Sequence, residues 1–165
     1  MLGSLEFTRT ALENLGFTGW IPARDLVRND VPKGVQGVYL ALRDRTTPLR
    51  FLRTNPSGWH KRRDPTISAA ELESAWIPST RVVYIGKANL TPRSDLQRRV
   101  WSFVRQGRGR NAGHWGGRAA WQLADGPELL IAWWPTQRDA RAVERELLAA
   151  FVAKFGRLPF ANLVP

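Results

Sequence analysis

Residues 81–104 read RVVYIGKANLTPRSDLQRRVWSFV, and their order of strand, glycine and helix organises the chain. Val82, Val83, Tyr84 and Ile85 form a short run of β-branched and aromatic residues, which suits a largely buried strand. Gly86 ends the run, at a point where backbone freedom or close approach is needed. Ser94 opens a helix, with Gln97 three residues on at capping-box spacing. Gly107 offers the stop. A tyrosine, Lys87 and two arginines, Arg98 and Arg99, are thereby held on or beside rigid elements. A site that needs charge and geometry is best built on such elements.

Working outward, residues 5–15 fit a short helix closed by Gly16, and residues 23–28 fit a second. Residues 37–42 read as a strand, with residues 49–53 as a pairing partner. NPSGWHKRRDP, residues 55–65, is a polar loop with turn residues and a basic cluster. Ser68 and Glu71 form another capping-box pair, which predicts a helix over 69–76. GRGRNAGHWGGR, residues 107–118, is loop-like, with five glycines. A short helix over 119–123 and a strand over 128–134 follow. The longest helix spans 136–155 and is ended by Gly156 and Pro159. This pattern predicts an α+β fold, a small mixed or antiparallel sheet of about three core strands flanked by helices. It also predicts a single domain over 1–165, with a helical leader over 1–34 and an insertion over 43–80 between the first two motif strands.

Composition narrows the function. The 165 residues suffice for one domain with a sizeable core, and 43% apolar content argues against disorder. There are 25 Lys and Arg against 14 Asp and Glu, a net charge of +11. Residues 93–118 hold seven arginines and one acid, Asp95. Such an excess favours a polyanionic partner over a merely solvated surface. No long basic amphipathic helix is present to favour a membrane surface. Cysteine is absent, which removes disulfides, thiolate zinc sites and cysteine nucleophiles together. The start, MLGSLEF, has no basic segment, and no apolar run approaches about 18 residues. A cytoplasmic protein is the expectation. No Ser-His-Asp set, P-loop or glycosidase carboxylate pair is convincing; the glycine-rich stretch lacks GK[ST].

The organising stretch resembles the GIY-YIG nuclease family. The YIG half is Tyr84, Ile85 and Gly86, followed by Lys87 and Ala88, and the GIY half is Gly37, Val38 and Tyr39. LQRRVWSF looks like the family's arginine helix, and AVERELLAAF followed by GRLPFAN looks like its glutamate helix and terminal asparagine. The resemblance covers roughly residues 35–163, and four pieces match in the right order. One departure is the insertion. The two motif tyrosines are usually joined by a short hairpin but here stand 45 positions apart (84 − 39). The resemblance implies a base or water-orienting role for Tyr39 and a supporting role for Tyr84 in the phosphate network. It implies Arg99 as catalytic arginine, Glu144 as metal ligand and Asn162 as a bracing residue. His114, in GHWGGR, resembles a segment of bacterial branches of the family and is a candidate for phosphate or substrate contact.

Helical geometry selects between neighbours independently of the resemblance. At about 100° per residue, with Leu96 at zero, Arg99 falls near 300°, at the border of the apolar face of Val100, Phe103 and Val104. Arg98 falls near 200° and points away. On the long helix, with Ala140 at zero, Glu144 falls near 40°, inside the stripe of Val143, Leu147, Leu148 and Phe151, whereas Glu146 falls near 240°. A carboxylate among core residues needs a cation or hydrogen bonds. A phenol can orient water, or take its proton if a cation lowers its pKa; Lys87 and Arg99 are candidates for that cation.

The expected activity is therefore Mg²⁺-dependent DNA endonucleolysis by a one-metal mechanism, with Mn²⁺ as an alternative ion. The expected partner is double-stranded DNA, held by Arg93, Arg98, Arg105, Arg108, Arg110 and Arg118. The setting would be restriction or repair. The alternative is a non-catalytic nucleic-acid-binding module that keeps the nuclease fold.

Overall fold

The structure is a computed structural model, and it describes residues 2–163. Helix α1 (Arg9–Leu15) is ended by Gly16 in the left-handed region, as read from the sequence, but it starts four residues later than expected, where Thr8 caps it. It leads into strand β1 (Thr18–Pro22). Strand β2 (Gly37–Leu42), helix α2 (Ala69–Ala75) and strand β3 (Val82–Ala88) follow. Then come helix α3 (Leu96–Gly107), strand β4 (Leu130–Pro135) and helix α4 (Ala140–Phe155). The fold is α+β, and the sheet is antiparallel throughout, in the order β1-β4-β2-β3. No helix among the described residues is long and apolar enough to cross a membrane.

Alternation along β2 divides the core. Val38, Leu40 and Leu42 face α4, where Val143, Leu147 and Phe151 are buried. Tyr39 and Ala41 face α3, where Leu96, Val100, Phe103 and Val104 are buried. The β2–β3 register passes from Ala41 opposite Tyr84 to Leu42 opposite Val82, so Val83 is the extra residue of a bulge. That bulge puts Val83 and Tyr84 into the same core layer as Tyr39.

The sheet has four strands where about three were expected. β1 lies in the leader and escaped sequence reading because a second bulge, with Trp20 at φ 56°, breaks its alternation and Pro22 discourages a strand. Residues 23–28 form no α-helix; a single 3₁₀ turn, Arg28–Asp30, begins at their last position instead. Residues 49–53 do not pair with β2, and only Phe51 bridges, to Leu123. The first turn of α3 is capped by Asp95, not Ser94: its carboxylate accepts from the Arg98 amide at 2.8 Å and the Gly34 amide at 3.0 Å. A carboxylate there serves two amides from different segments, which a serine hydroxyl could not span.

The long insertion leaves the motif strands in register. Tyr39 pairs with Gly86, and the Arg43 amide donates to the Arg81 carbonyl at 2.8 Å, closing the base of the excursion. An insertion between paired strands costs only loop-closure entropy, which grows slowly with length.

Candidate active site

β3 is an edge strand, and the segment at residues 161–162 lies along its outer side. The Asn162 side chain mimics a strand there: its Oδ1 accepts from the Ile85 amide at 2.9 Å and its Nδ2 donates to the Ile85 carbonyl at 2.7 Å. The Ala161 amide also donates to the Val83 carbonyl at 2.7 Å. This brace stops one residue before Gly86.

Gly86 is needed for close approach, not for a special φ. A Cβ there would lie 2.7 Å from Tyr39 Cζ and 2.9 Å from its hydroxyl. Gly117 does the same from the other side, since its Cβ would meet Phe103 at 2.8 Å and His114 at 3.3 Å. These two gaps let four rings close together. Tyr84 stacks on Phe103 with centroids 4.9 Å apart, and Phe103 lies 4.8 Å from His114.

Within this cluster Tyr39 and His114 are fully buried, and Tyr84 keeps only 7% exposure. The Tyr39 hydroxyl and His114 Nε2 share a hydrogen bond of 2.5 Å, in which the phenol donates when the imidazole is the Nδ1–H tautomer. His114 Nδ1 is buried without a partner among the described residues. Burial, reinforced by the Arg99 charge, pushes the His114 pKa down to about 3, so the ring is neutral and resists protonation. Burial likewise pushes the Tyr39 phenol well up, and Arg99 opposes that shift. Tyr84 is raised by burial, with the Tyr39 hydroxyl and Arg99 opposing.

The two helices contribute as their faces predict. Arg98 is exposed, with its guanidinium donating to the Pro92 carbonyl at 3.2 Å, while Arg99 is half-buried. Glu144 on α4 has a side chain only 19% exposed, whereas Glu146 is 45% exposed and paired with Arg138. Glu144 reaches the site from the opposite side of the sheet to α3. Its one ion pair among the described residues is with Lys87, Nζ to Oε2 at 3.8 Å, too long for a hydrogen bond. Burial raises its pKa, and Lys87, Arg141 and Arg99 oppose the rise. A half-buried carboxylate with open lone pairs fits one hard cation completed by waters. No group of three or more His, Cys, Asp or Glu stands together among the described residues, so an all-protein metal cage is not available.

The six arginines expected to face DNA fall into different situations. Arg93, Arg98, Arg105 and Arg110 are exposed, and none of them forms an ion pair among the described residues. Arg118 is half-buried, with its guanidinium 4.3 Å from the Trp115 ring. Arg108 is exposed but tethered: its guanidinium donates to the carbonyls of Leu26 at 2.7 Å and Ala23 at 2.8 Å and lies over Trp101. The paired cations lie elsewhere, at Arg9, Arg24, Arg43, Arg45, Arg81, Lys87, Arg138 and Lys154. Replacing Arg105 and Arg110 by Ala should therefore weaken duplex binding for all sequences alike. The slope of log affinity on log salt should become shallower by about two. Titrations at several salt concentrations check this, and an unchanged slope excludes both residues from the phosphate contact.

Sequence reading missed the Tyr39–His114 bond and the packing of Phe103 between them. The adjacent glycines 116 and 117 were the available signal. His114 also sets the acid stability. Its folded pKa, about 3, lies below the ordinary value of 6.5, so the folded state refuses a proton that the unfolded chain accepts. Stability present above about pH 6.5 should fall by about 1.4 kcal/mol per pH unit as pH drops below it. Urea unfolding between pH 7 and 5 should show that slope in the wild type and lose it in His114→Gln; equal slopes would remove the assignment.

No family model, curated protein or solved structure matches this chain.

Proposed function

We propose that the protein is a GIY-YIG-type endonuclease that hydrolyses phosphodiester bonds of double-stranded DNA with one divalent cation. The observation that carries this reading is Arg99. It forms no ion pair among the described residues, yet its charge acts at once on Tyr39, Tyr84, His114 and Glu144. A guanidinium with its donors free, beside two phenols, a neutral imidazole and a carboxylate, suits a phosphate in a displacement reaction.

In this reading Arg99 holds the phosphate and stabilises its developing charge. Tyr39, its hydroxyl held against the neutral His114 imidazole, keeps its own proton and helps orient the attacking water, which loses its proton to solvent as the bond to the leaving oxygen breaks. Tyr84, on the more exposed side of the pair, orients the water. Glu144 would hold Mg²⁺ or Mn²⁺, with Lys87 beside it; such an ion, when bound, supplies Lewis-acid polarisation of the phosphate oxygen. Asn162 keeps β3, and with it Tyr84, in place.

The complete burial of Tyr39 favours the second reading, a non-catalytic DNA-binding module. Nicking of supercoiled plasmid decides between them. Magnesium-dependent relaxation that EDTA stops supports the enzyme. Binding without cutting, in Mg²⁺ and in Mn²⁺, supports the module. Tyr39→Phe refines the test. It leaves His114 Nε2 unpaired, costing about 1–3 kcal/mol of stability, and should slow cleavage by about a hundredfold or more. A folded Tyr39→Phe protein cutting at the wild-type rate returns that tyrosine to a packing role.

A further inference from the structure

The insertion ends in a feature that the phosphate site does not use. Residues 60 and 63 form a narrow hairpin: the Arg63 amide donates to the His60 carbonyl at 2.8 Å, and the His60 amide donates back to Arg63 at 3.3 Å. Its two central residues, Lys61 and Arg62, have φ of 49° and 63°. A two-residue turn with both φ positive prefers Asn-Gly, so two long basic side chains there are strained. Lys61, Arg62 and Arg63 are all exposed, and none forms an ion pair among the described residues. The adjacent acid, Asp64, is occupied by the Thr66 amide at 2.8 Å. Trp59, just before the turn, is 56% exposed, the only exposed residue among eight tryptophans.

The base of this turn is rigid. Asn55 is buried and donates to the Arg118 carbonyl at 2.8 Å, and its Oδ1 accepts from the Ser57 amide at 3.0 Å. The Gly58 amide donates to the Gln106 carbonyl at 2.9 Å, and the buried Gln106 side chain donates back to the Gly58 carbonyl. The same side chain accepts from the Ala112 amide at 3.0 Å, which ties the turn to the loop carrying His114. Arg63 and Arg118 both lie against the Trp115 ring, at 5.2 and 4.3 Å. Two like charges beside one ring, with no carboxylate paired to either, are most stable when an anion sits between or beside them.

We infer that the turn at residues 59–63 is a second contact to duplex DNA, resting on the reading that DNA is the substrate. Lys61 and Arg62 hold phosphates away from the scissile one, and Trp59 packs its ring on sugar and base surface in the adjoining groove. A rigid base with a basic, aromatic tip suits a wedge that sets how the duplex lies over the cleavage site.

The test is binding of a labelled duplex of about 20 base pairs in EDTA, across a salt series, with thermal unfolding alongside. Lys61→Asn with Arg62→Gly installs the preferred turn pair and removes two charges. It should unfold at the wild-type temperature or higher, bind about tenfold more weakly, and show a salt slope shallower by about two. Trp59→Ala should bind at least about fivefold more weakly with its slope unchanged, because an apolar contact releases no counterions. Wild-type affinity and slope in the turn variant overturn the contact. They leave the active-site reading standing if Arg105→Ala with Arg110→Ala still weakens binding and plasmid is still nicked. Wild-type affinity in Trp59→Ala alone overturns the apolar part. A wild-type protein that binds no duplex at low salt overturns both readings.

Discussion

Glu144→Gln should abolish magnesium-dependent nicking, by about a thousandfold or more, while duplex binding persists. The side chain keeps its shape, so the change isolates the charge. Loss of a cation that supplies several kcal/mol to the transition state corresponds to that factor. The same substitution should raise metal-free stability at neutral pH. Burial lifts the folded pKa of Glu144 above its unfolded value. The folded state therefore holds its proton more tightly, and that contribution is present below the unfolded pKa and lost as pH rises through the folded one. Above that folded pKa the wild type carries an ionised, half-buried carboxylate whose ion pair to Lys87, at 3.8 Å, is too long for a hydrogen bond. Melting temperature in EDTA should rise by on the order of one to four degrees in Glu144→Gln at pH 7, and by nothing near pH 4. Glu146→Gln is the control: its partner Arg138 is 55% exposed, and exposed pairs contribute little. A Glu144→Gln protein that still nicks near the wild-type rate would overturn the metal assignment.

Arg99→Ala and Arg98→Ala should differ in kind. Both sit in the first turns of α3, one residue apart, yet one is half-buried over the aromatic cluster and the other is exposed. At saturating DNA, Arg99→Ala should cut about a hundred- to a thousandfold more slowly, the scale for a lost preorganised donor at developing charge. Its pH–rate profile should also move to higher pH on the basic side. The Arg99 charge opposes the upward shift of Tyr39, and without it the phenol rises further. Arg98→Ala should cut at the wild-type rate once DNA is saturating and lose affinity only. Equal losses of rate in the two variants would remove the distinction between the faces of α3.

The α+β class was legible in the sequence because strand and helix periods are local properties. Val82 to Ile85, the stripe of α4 and the glycines closing α1 and α4 depend only on residues within a turn or two. The contrasts between Arg99 and Arg98, and between Glu144 and Glu146, were legible for the same reason. Helical spacing alone decides which residue faces the core, and burial agrees in both pairs.

The rest depended on contacts between distant residues. β1 became a strand only because β4 offered an unpaired edge, and that pairing outweighed Gly19 and Pro22. Asp95 took the cap of α3 from Ser94 because Gly34, 61 positions away, supplied a second donor. Arg108 reads as one more basic residue in a basic loop, yet carbonyls from residues 23–26 tether its guanidinium to the leader. His114 lies 75 positions from Tyr39, and no spacing rule joins them. The partnership exists because Gly86 and Gly117 leave room for four rings to close, and the burial that follows keeps the imidazole neutral. Sequence by itself determined which side chains could carry charge and which way each helix turned them. Tertiary structure alone decided which of those charges remained unpaired, because pairing and desolvation are properties of neighbours that the chain brings together only when it folds.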